Sequence, residues 1–152
     1  MERPFSLYLL FVLHLFLGIG AVYGGGMLLI KPDGSGLGMD TEWLSHSPFN
    51  TYLIPAFILF TLIGLFPLLT FVGLLTKPDW KWANTLNLYA NRHWAWTFSL
   101  YSGIIVITWI TVQLIMTQYF WLQSIMIFTG LFIIIFTLTP AVMKNFETSI
   151  TE

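Results

Sequence analysis

The sequence predicts an all-α polytopic membrane protein: a bundle of four transmembrane helices, with an ordered extracytoplasmic loop between helices one and two. Three observations predict it. Of the 152 residues, 57% are hydrophobic and only 9% are charged, against about a quarter charged in an ordinary soluble domain. Mean hydropathy is +0.79, and there is too little polar surface to cover a water-soluble globule. Finally, four apolar runs lack Asp, Glu, Lys and Arg altogether, and each exceeds the roughly 20 residues that cross about 30 Å of hydrocarbon.

The first run extends from Pro4 to Ile30. Arg3 and the small residues that follow give it a passing likeness to a signal peptide, but it outlasts the roughly 7–15-residue apolar core of one. A signal-anchor helix is expected. Within it, Gly20 and Gly24 form a GxxxG pair, and His14, Gly18, Ala21 and Gly25 share a narrow arc at about 100° per residue. Lipid tails give helices no hydrophobic reason to associate, so small and polar residues carry the packing. This helix therefore has an edge for close approach, with an imidazole on it.

Between Lys31 and Asn50 the chain reads KPDGSGLGMDTEWLSHSPFN. Pro-Asp-Gly is a turn signal, and Asp40 or Thr41 can cap a short helix carrying Trp43 and Leu44. That segment is expected to lie as a lid over the mouth of the bundle. If it is helical, Glu42 and His46 share a face and are weak candidates for metal ligands, although an ordinary exposed pair has the same spacing. The GSGLG stretch follows a membrane span and lacks the glycine spacing of a dinucleotide fingerprint.

The second run, Tyr52 to Leu75, carries Pro55 in its first turn, where proline is tolerated, and Pro67 in its interior, where it should kink the helix. The stretch from Lys77 to His93 reads either as an interfacial segment, with Trp80, Trp82, Trp94 and Trp96 in the headgroup layer, or as a plain connection. The third run, Trp94 to Met116, holds Ser99, Gly103 and Gln113 on one arc. Thr117 and Gln118 mark a short turn, so the third and fourth helices must be antiparallel neighbours. The fourth run, Tyr119 to Met143, repeats the pattern with Gln123, Gly130 and Thr137 at equal spacing. These stripes are expected to converge on the axis. Residues 1–147 form one domain, and 148–152 are expected to be a flexible tail.

Arg3, Lys77, Lys81, Arg92 and Lys144 fall on one side of the predicted membrane and only Lys31 on the other. The positive-inside rule then places both termini in the cytoplasm, in a multi-pass protein of the cell membrane. A net charge of −1 with no basic stripe excludes nucleic acid as a partner. The absence of cysteine removes disulfides, thiol nucleophiles and thiolate metal sites. There is no Ser-His-Asp set, phosphate loop or catalytic carboxylate pair, so no catalytic residue and no cofactor are expected, and an enzyme is the less favoured class. The three histidines are divided between the spans and the two sides, so they cannot form one site.

His14 is the one ionisable group within a span apart from tyrosines, which makes it a candidate by cost alone. Gln113 and Gln123 fall near the outer boundary beneath the lid. With Trp43 they are expected to border a vestibule, the best place for a ligand. The leading expectation is a non-enzymatic accessory protein that binds a membrane partner or a lipid-like ligand. The alternative is a small carrier or channel, assembled as an oligomer through Gly20 and Gly24.

GGGMLLIKPDGSGLGM, then SPF and YLIPAFILFTLIGL, and later HWAW, WITVQ, LQ and TG, resemble a group of small bacterial four-helix membrane proteins. The architecture is similar to that of the DoxX-like family. That resemblance implies an accessory subunit of a membrane system and no catalytic residue. The charged residues often seen inside those bundles are missing here.

Overall fold

The first apolar run forms a single helix, Phe5–Ile30, with no proline to interrupt it, and two of its glycines, Gly18 and Gly25, lie where the second helix comes closest. Its inward face holds Leu7, Leu10, His14, Leu17, Gly18, Ala21, Gly25 and Leu28, which is the arc read from the sequence. A computed structural model of the chain describes residues 2–148. Among these residues it is helical, with one isolated antiparallel bridge, Arg92 to Glu147, in place of any strand.

The second helix, Leu53–Thr76, answers its interior proline with a change of pitch. Leu53–Ile58 and Phe66–Thr76 are α-helical, and Leu59–Leu65 between them is π-helical, with the Phe66 N–H donating to the Thr61 carbonyl five residues back. Pro67 has no N–H to give, and its ring would strike the carbonyl four residues earlier in a regular helix. A widened turn ahead of the proline relieves both problems.

The third helix, Trp94–Met116, has the bounds expected from the sequence; His93 caps its start and extended Thr117 ends it. The fourth is shorter than its apolar run. It spans Trp121–Thr137, and Pro140 stops it. The proline forces Thr139 into extended backbone and opens a separate short helix, Pro140–Asn145. Three helices, Phe5–Ile30, Leu53–Thr76 and Trp94–Met116, are therefore long and apolar enough to cross a membrane, and Trp121–Thr137 is a shorter apolar helix.

The long helices form a ring in which the first packs on the second and fourth, and the third packs on the same two. Glycines set the closest crossings. A β-carbon on Gly25 would lie 2.8 Å from the Phe60 backbone nitrogen, and one on Gly18 would lie 3.0 Å from the Gly64 carbonyl. Gly103 and Gly130 face each other across the third and fourth helices: a β-carbon on either would meet the other's carbonyl oxygen, at 2.8 and 3.0 Å respectively. Outside the ring, Val12, Ile19, Phe128 and Ile135 are each more than half exposed. Such a surface suits acyl chains and not water.

One end of the ring gathers the cations. Arg3 donates to the Leu75 carbonyl at 2.9 Å, Lys77 to the Asn145 carbonyl at 2.6 Å and Arg92 to that of Met143. The Lys77 ammonium also lies 4.3 Å from the centre of the Phe146 ring. Burial, with Arg3 nearby, pulls the Lys77 pKa below its ordinary value. Thr148, assigned from the sequence to a flexible tail, donates its N–H to the Asn91 carbonyl at 3.0 Å, since the Arg92–Glu147 bridge carries the chain alongside residues 91–93. Residues 149–152 lie outside the described residues.

The tryptophans of this end differ in burial. Trp80 and Trp82 stack on each other, with Trp82 half exposed, but Trp94 and Trp96 are buried. Their indole N–H groups find carbonyls inside the protein, Trp94 that of Pro78 at 2.7 Å and Trp96 that of Thr137 at 2.8 Å, and so need no water. The Lys77–His93 connection contains a short helix, Lys81–Thr85, and folds back to supply one of those carbonyls.

His93 makes this end sensitive to acid. The Ala95 N–H donates to Nδ1 at 3.2 Å, so the proton sits on Nε2, which donates to the Pro78 carbonyl at 3.1 Å. A second proton would displace the Ala95 bond. Burial, above all, lowers the pKa from 6.5, with Lys77 adding to the effect and Asp79 and the Pro78 carbonyl opposing it. A depressed folded value means the unfolded chain binds the extra proton first. This contribution to stability is therefore complete above pH 6.5 and declines as pH falls through the folded value. Melting temperature should drop between pH 7.5 and 5 in the wild type and less so in His93→Asn, which keeps a capping side chain. Equal drops in both would refute the assignment.

Candidate binding cavity beneath the lid

The end of the ring opposite the cations is closed by the connection that the sequence marks as a lid. Gly34 starts it with a positive φ of 83°, and a β-carbon there would lie 2.5 Å from the Met39 carbonyl oxygen, so only glycine fits. Asp33 Oδ1 accepts from the Ser35 N–H at 3.0 Å and from its hydroxyl at 2.8 Å, and these bonds hold its carboxyl below the usual range. Asp40 caps the four-residue 3-10 helix Thr41–Leu44 by accepting from the Glu42 N–H at 3.0 Å.

Two contacts seat the lid. The Tyr52 hydroxyl donates to the Asp40 carbonyl at 2.6 Å, while the Tyr52 N–H donates to the Pro32 carbonyl at 2.8 Å. Leu44, buried, packs with Leu28, Tyr52 and Ala56 in a small cluster of its own, separate from the main core. Trp43 reaches across to the head of the fourth helix, its ring centre 6.4 Å from that of Phe120.

Beneath the lid is a cavity of about 430 Å³, within the range of roughly 300–1,000 Å³ usual for small-molecule sites. Gly20, Ala21 and Gly24 of the first helix line it, with Leu59 of the second, Trp109, Ile110 and Gln113 of the third, and Leu122, Gln123 and Met126 of the fourth. Leu44, Trp43 and Phe120 form its roof, and no lining residue is charged. On one side it opens past Gly20, where a β-carbon would meet nothing within 4 Å. An apolar groove formed by Val12, Leu15, Phe16 and Ile19 continues from there, sharing Phe16 and Gly20 with the cavity.

The structure brings three of the sequence-derived residues together, Trp43, Gln113 and Gln123, and leaves the rest elsewhere. Gln123 mainly seals a helix end: its Oε1 accepts from the Phe120 N–H at 3.0 Å and its Nε2 donates to the Thr117 hydroxyl at 3.4 Å. Gln113 is half-buried at the cavity wall. His14 is fully buried in the core and is not part of the lining. Its Nδ1 lies 2.8 Å from the Leu10 carbonyl, an acceptor only, so Nδ1 carries the proton and Nε2 is a bare acceptor without a partner among the described residues.

Glu42 and His46 do not share a helical face, because the 3-10 helix ends at Leu44; His46 Nδ1 lies 3.2 Å from the Ser45 hydroxyl instead. Among the described residues, no three His, Asp or Glu side chains gather where a metal could bind.

Trp109 was not singled out from the sequence. Its indole nitrogen is buried and has no hydrogen-bond partner among the described residues, yet its side chain forms part of the cavity wall. A signal was available: tryptophan favours the two membrane boundaries, and Trp109 lies well inside the third apolar run.

No family model, curated protein or solved structure matches the chain. The likeness to the DoxX-like family rests on architecture alone.

Proposed function

We propose that this is a non-enzymatic protein of the cell membrane, crossing it four times with the lid outside, that holds an uncharged lipid-like molecule in the cavity beneath the lid. The observation that carries the reading is a sizeable cavity with an uncharged wall, roofed by the lid and open sideways past Gly20. A wall of this kind excludes ions and favours apolar guests. The cations at the opposite end support an orientation with that end in the cytoplasm. The fourth helix has 17 residues and so is about 26 Å long, close to the hydrocarbon thickness of about 30 Å.

The carrier reading is less well supported. Below the cavity Leu10, Leu17, Val106 and Ile133 are wholly buried and fill the space between the helices, beside the equally buried His14, Ser99 and Ser102. Mass spectrometry of protein extracted in polymer discs tests the proposal. The wild type should retain a distinct lipid-like species that Gly24→Leu loses, since a side chain there projects toward the cavity with only Leu59 near it. Identical lipid profiles from the two proteins would refute it.

A further inference from the structure

The polar groups of the cavity gather at its lid end, in the last turn of the third helix and the first of the fourth. The Thr117 hydroxyl donates to the Gln113 carbonyl at 2.9 Å, and the Gln123 amide is engaged by Phe120 and Thr117. Gln113 differs. Its side-chain amide has no hydrogen-bond partner among the described residues, yet, unlike the sealed indole nitrogen of Trp109, it keeps accessible surface in the cavity wall. It offers both an N–H and a carbonyl oxygen. Away from the lid the wall is made by Ala21, Leu59, Ile110 and Met126, and the window past Gly20 is flanked by Phe16 and Tyr23, both exposed on the outside of the first helix. At about 1.5 Å per residue, Gln113 lies about 5 Å from the lid end of its helix and Gly20 about 15 Å from that of the first. The second distance is half the hydrocarbon thickness of about 30 Å. The cavity therefore runs from a polar end near one membrane boundary to a window near the bilayer midplane.

From this gradient, and resting on the cavity reading above, we infer that the ligand is a single-chain lipid with a small uncharged head, of the monoacylglycerol kind, held with its head toward the lid. The head hydrogen-bonds the Gln113 amide, and the tail runs down the cavity and leaves past Gly20 into the groove along Val12, Leu15 and Ile19. Size sets one chain. At about 30 Å³ for each group the size of a water molecule, a cavity of about 430 Å³ takes about 14 non-hydrogen atoms, too few for a second chain beside the first. A carboxylate or phosphate head would be buried unpaired, because no lining residue is charged and the lid segment Lys31–Asn50 holds Asp33, Asp40 and Glu42 against one lysine. A wholly apolar ligand would leave the Gln113 amide facing hydrocarbon, where an unmade hydrogen bond is costly. The orientation is that of a lipid in the leaflet on the lid side, so the ligand enters from the bilayer through the window without turning over.

The test uses full-length protein in phosphatidylcholine nanodiscs and three probes with a diazirine at the same chain carbon: a monoacylglycerol, the fatty acid of that chain and the corresponding diacylglycerol. In the wild type the monoacylglycerol should label Ala21, Leu59 or Met126 in clear excess over the other two, a comparison that needs no variant to fold. Gln113→Leu, which keeps the bulk and removes the amide, should weaken monoacylglycerol labelling roughly five-fold, the size of one neutral hydrogen bond. Gly20→Leu, which fills the window at a position with open space, should abolish it. If the three probes label the wild-type cavity alike, or either variant labels as well as the wild type, the single-chain, head-to-lid assignment fails while the cavity reading stands. If no probe labels the cavity, both fail.

Discussion

Replacing Gly25 by leucine should destabilise the protein by about 3 kcal/mol, while the same change at Gly20 should cost less than about 0.5 kcal/mol. The two glycines lie on one helix, but they meet different surroundings. At Gly25 a new β-carbon would stand 2.8 Å from the Phe60 nitrogen and 2.9 Å from its α-carbon. Those are backbone atoms and cannot swing aside, so the first and second helices must separate along a seam that also includes Gly18 and Gly64. At Gly20 the β-carbon enters open space, and leucine is by nature the better helix former. Denaturant titration of the purified variants should separate them clearly. If Gly20→Leu unfolds as early as Gly25→Leu, the first helix packs through its GxxxG edge and the crossing described above is wrong.

Truncating Trp94 to alanine should cost about 3–5 kcal/mol, as large aromatic deletions in cores do. The ring is fully buried. It stacks on Trp80 at 5.1 Å between ring centres and meets Phe98 edge-on at 5.0 Å. Its far edge fills the space left by Gly73, where a β-carbon would lie 2.3 Å from it. Loss of the indole would leave a void that this stack and the rigid helices around it cannot close. Trp82→Ala, two members away in the same stack but half exposed, should cost under about 1 kcal/mol. Thermal melts followed by near-ultraviolet circular dichroism report both. Similar losses for the two variants would mean that the stack, and not burial, carries the energy.

Much of the architecture was legible because lipid imposes simple rules. The third helix could be bounded to the residue, since His93 and Thr117 flank an unbroken run. The small and polar stripes, Gly18 with Ala21 and Gly25, Ser99 with Gly103, and Gln123 with Gly130 and Thr137, do turn inward. The lid was readable from its turn residues and from Asp40. The errors share a cause. A hydropathy pattern says what an environment tolerates and says nothing of hydrogen bonds. It therefore ran the fourth helix past Pro140, which cannot continue the ladder, and placed Trp94 and Trp96 at a water boundary although carbonyls 16 and 41 residues away satisfy them. It also could not choose between Gly20–Gly24 and Gly18–Gly25, because that choice depends on where the second helix crosses. The cavity was half visible: the sequence offered Gln113, Gln123 and Trp43, but an unpaired indole is a property of coordinates.

The small cluster of Leu28, Leu44, Tyr52 and Ala56 stands apart from the main core. Two packing centres of such unequal size make two cooperative units of unequal strength. The minor one can come undone and re-form while the ring of helices stays intact, so amide hydrogens of residues 33–52 should exchange with solvent long before those of the third helix. The protein thus carries a door held by a few contacts, Leu44 against Leu28, Tyr52 and Ala56 and the Tyr52 hydrogen bonds to Asp40 and Pro32, far fewer than those that keep the walls standing.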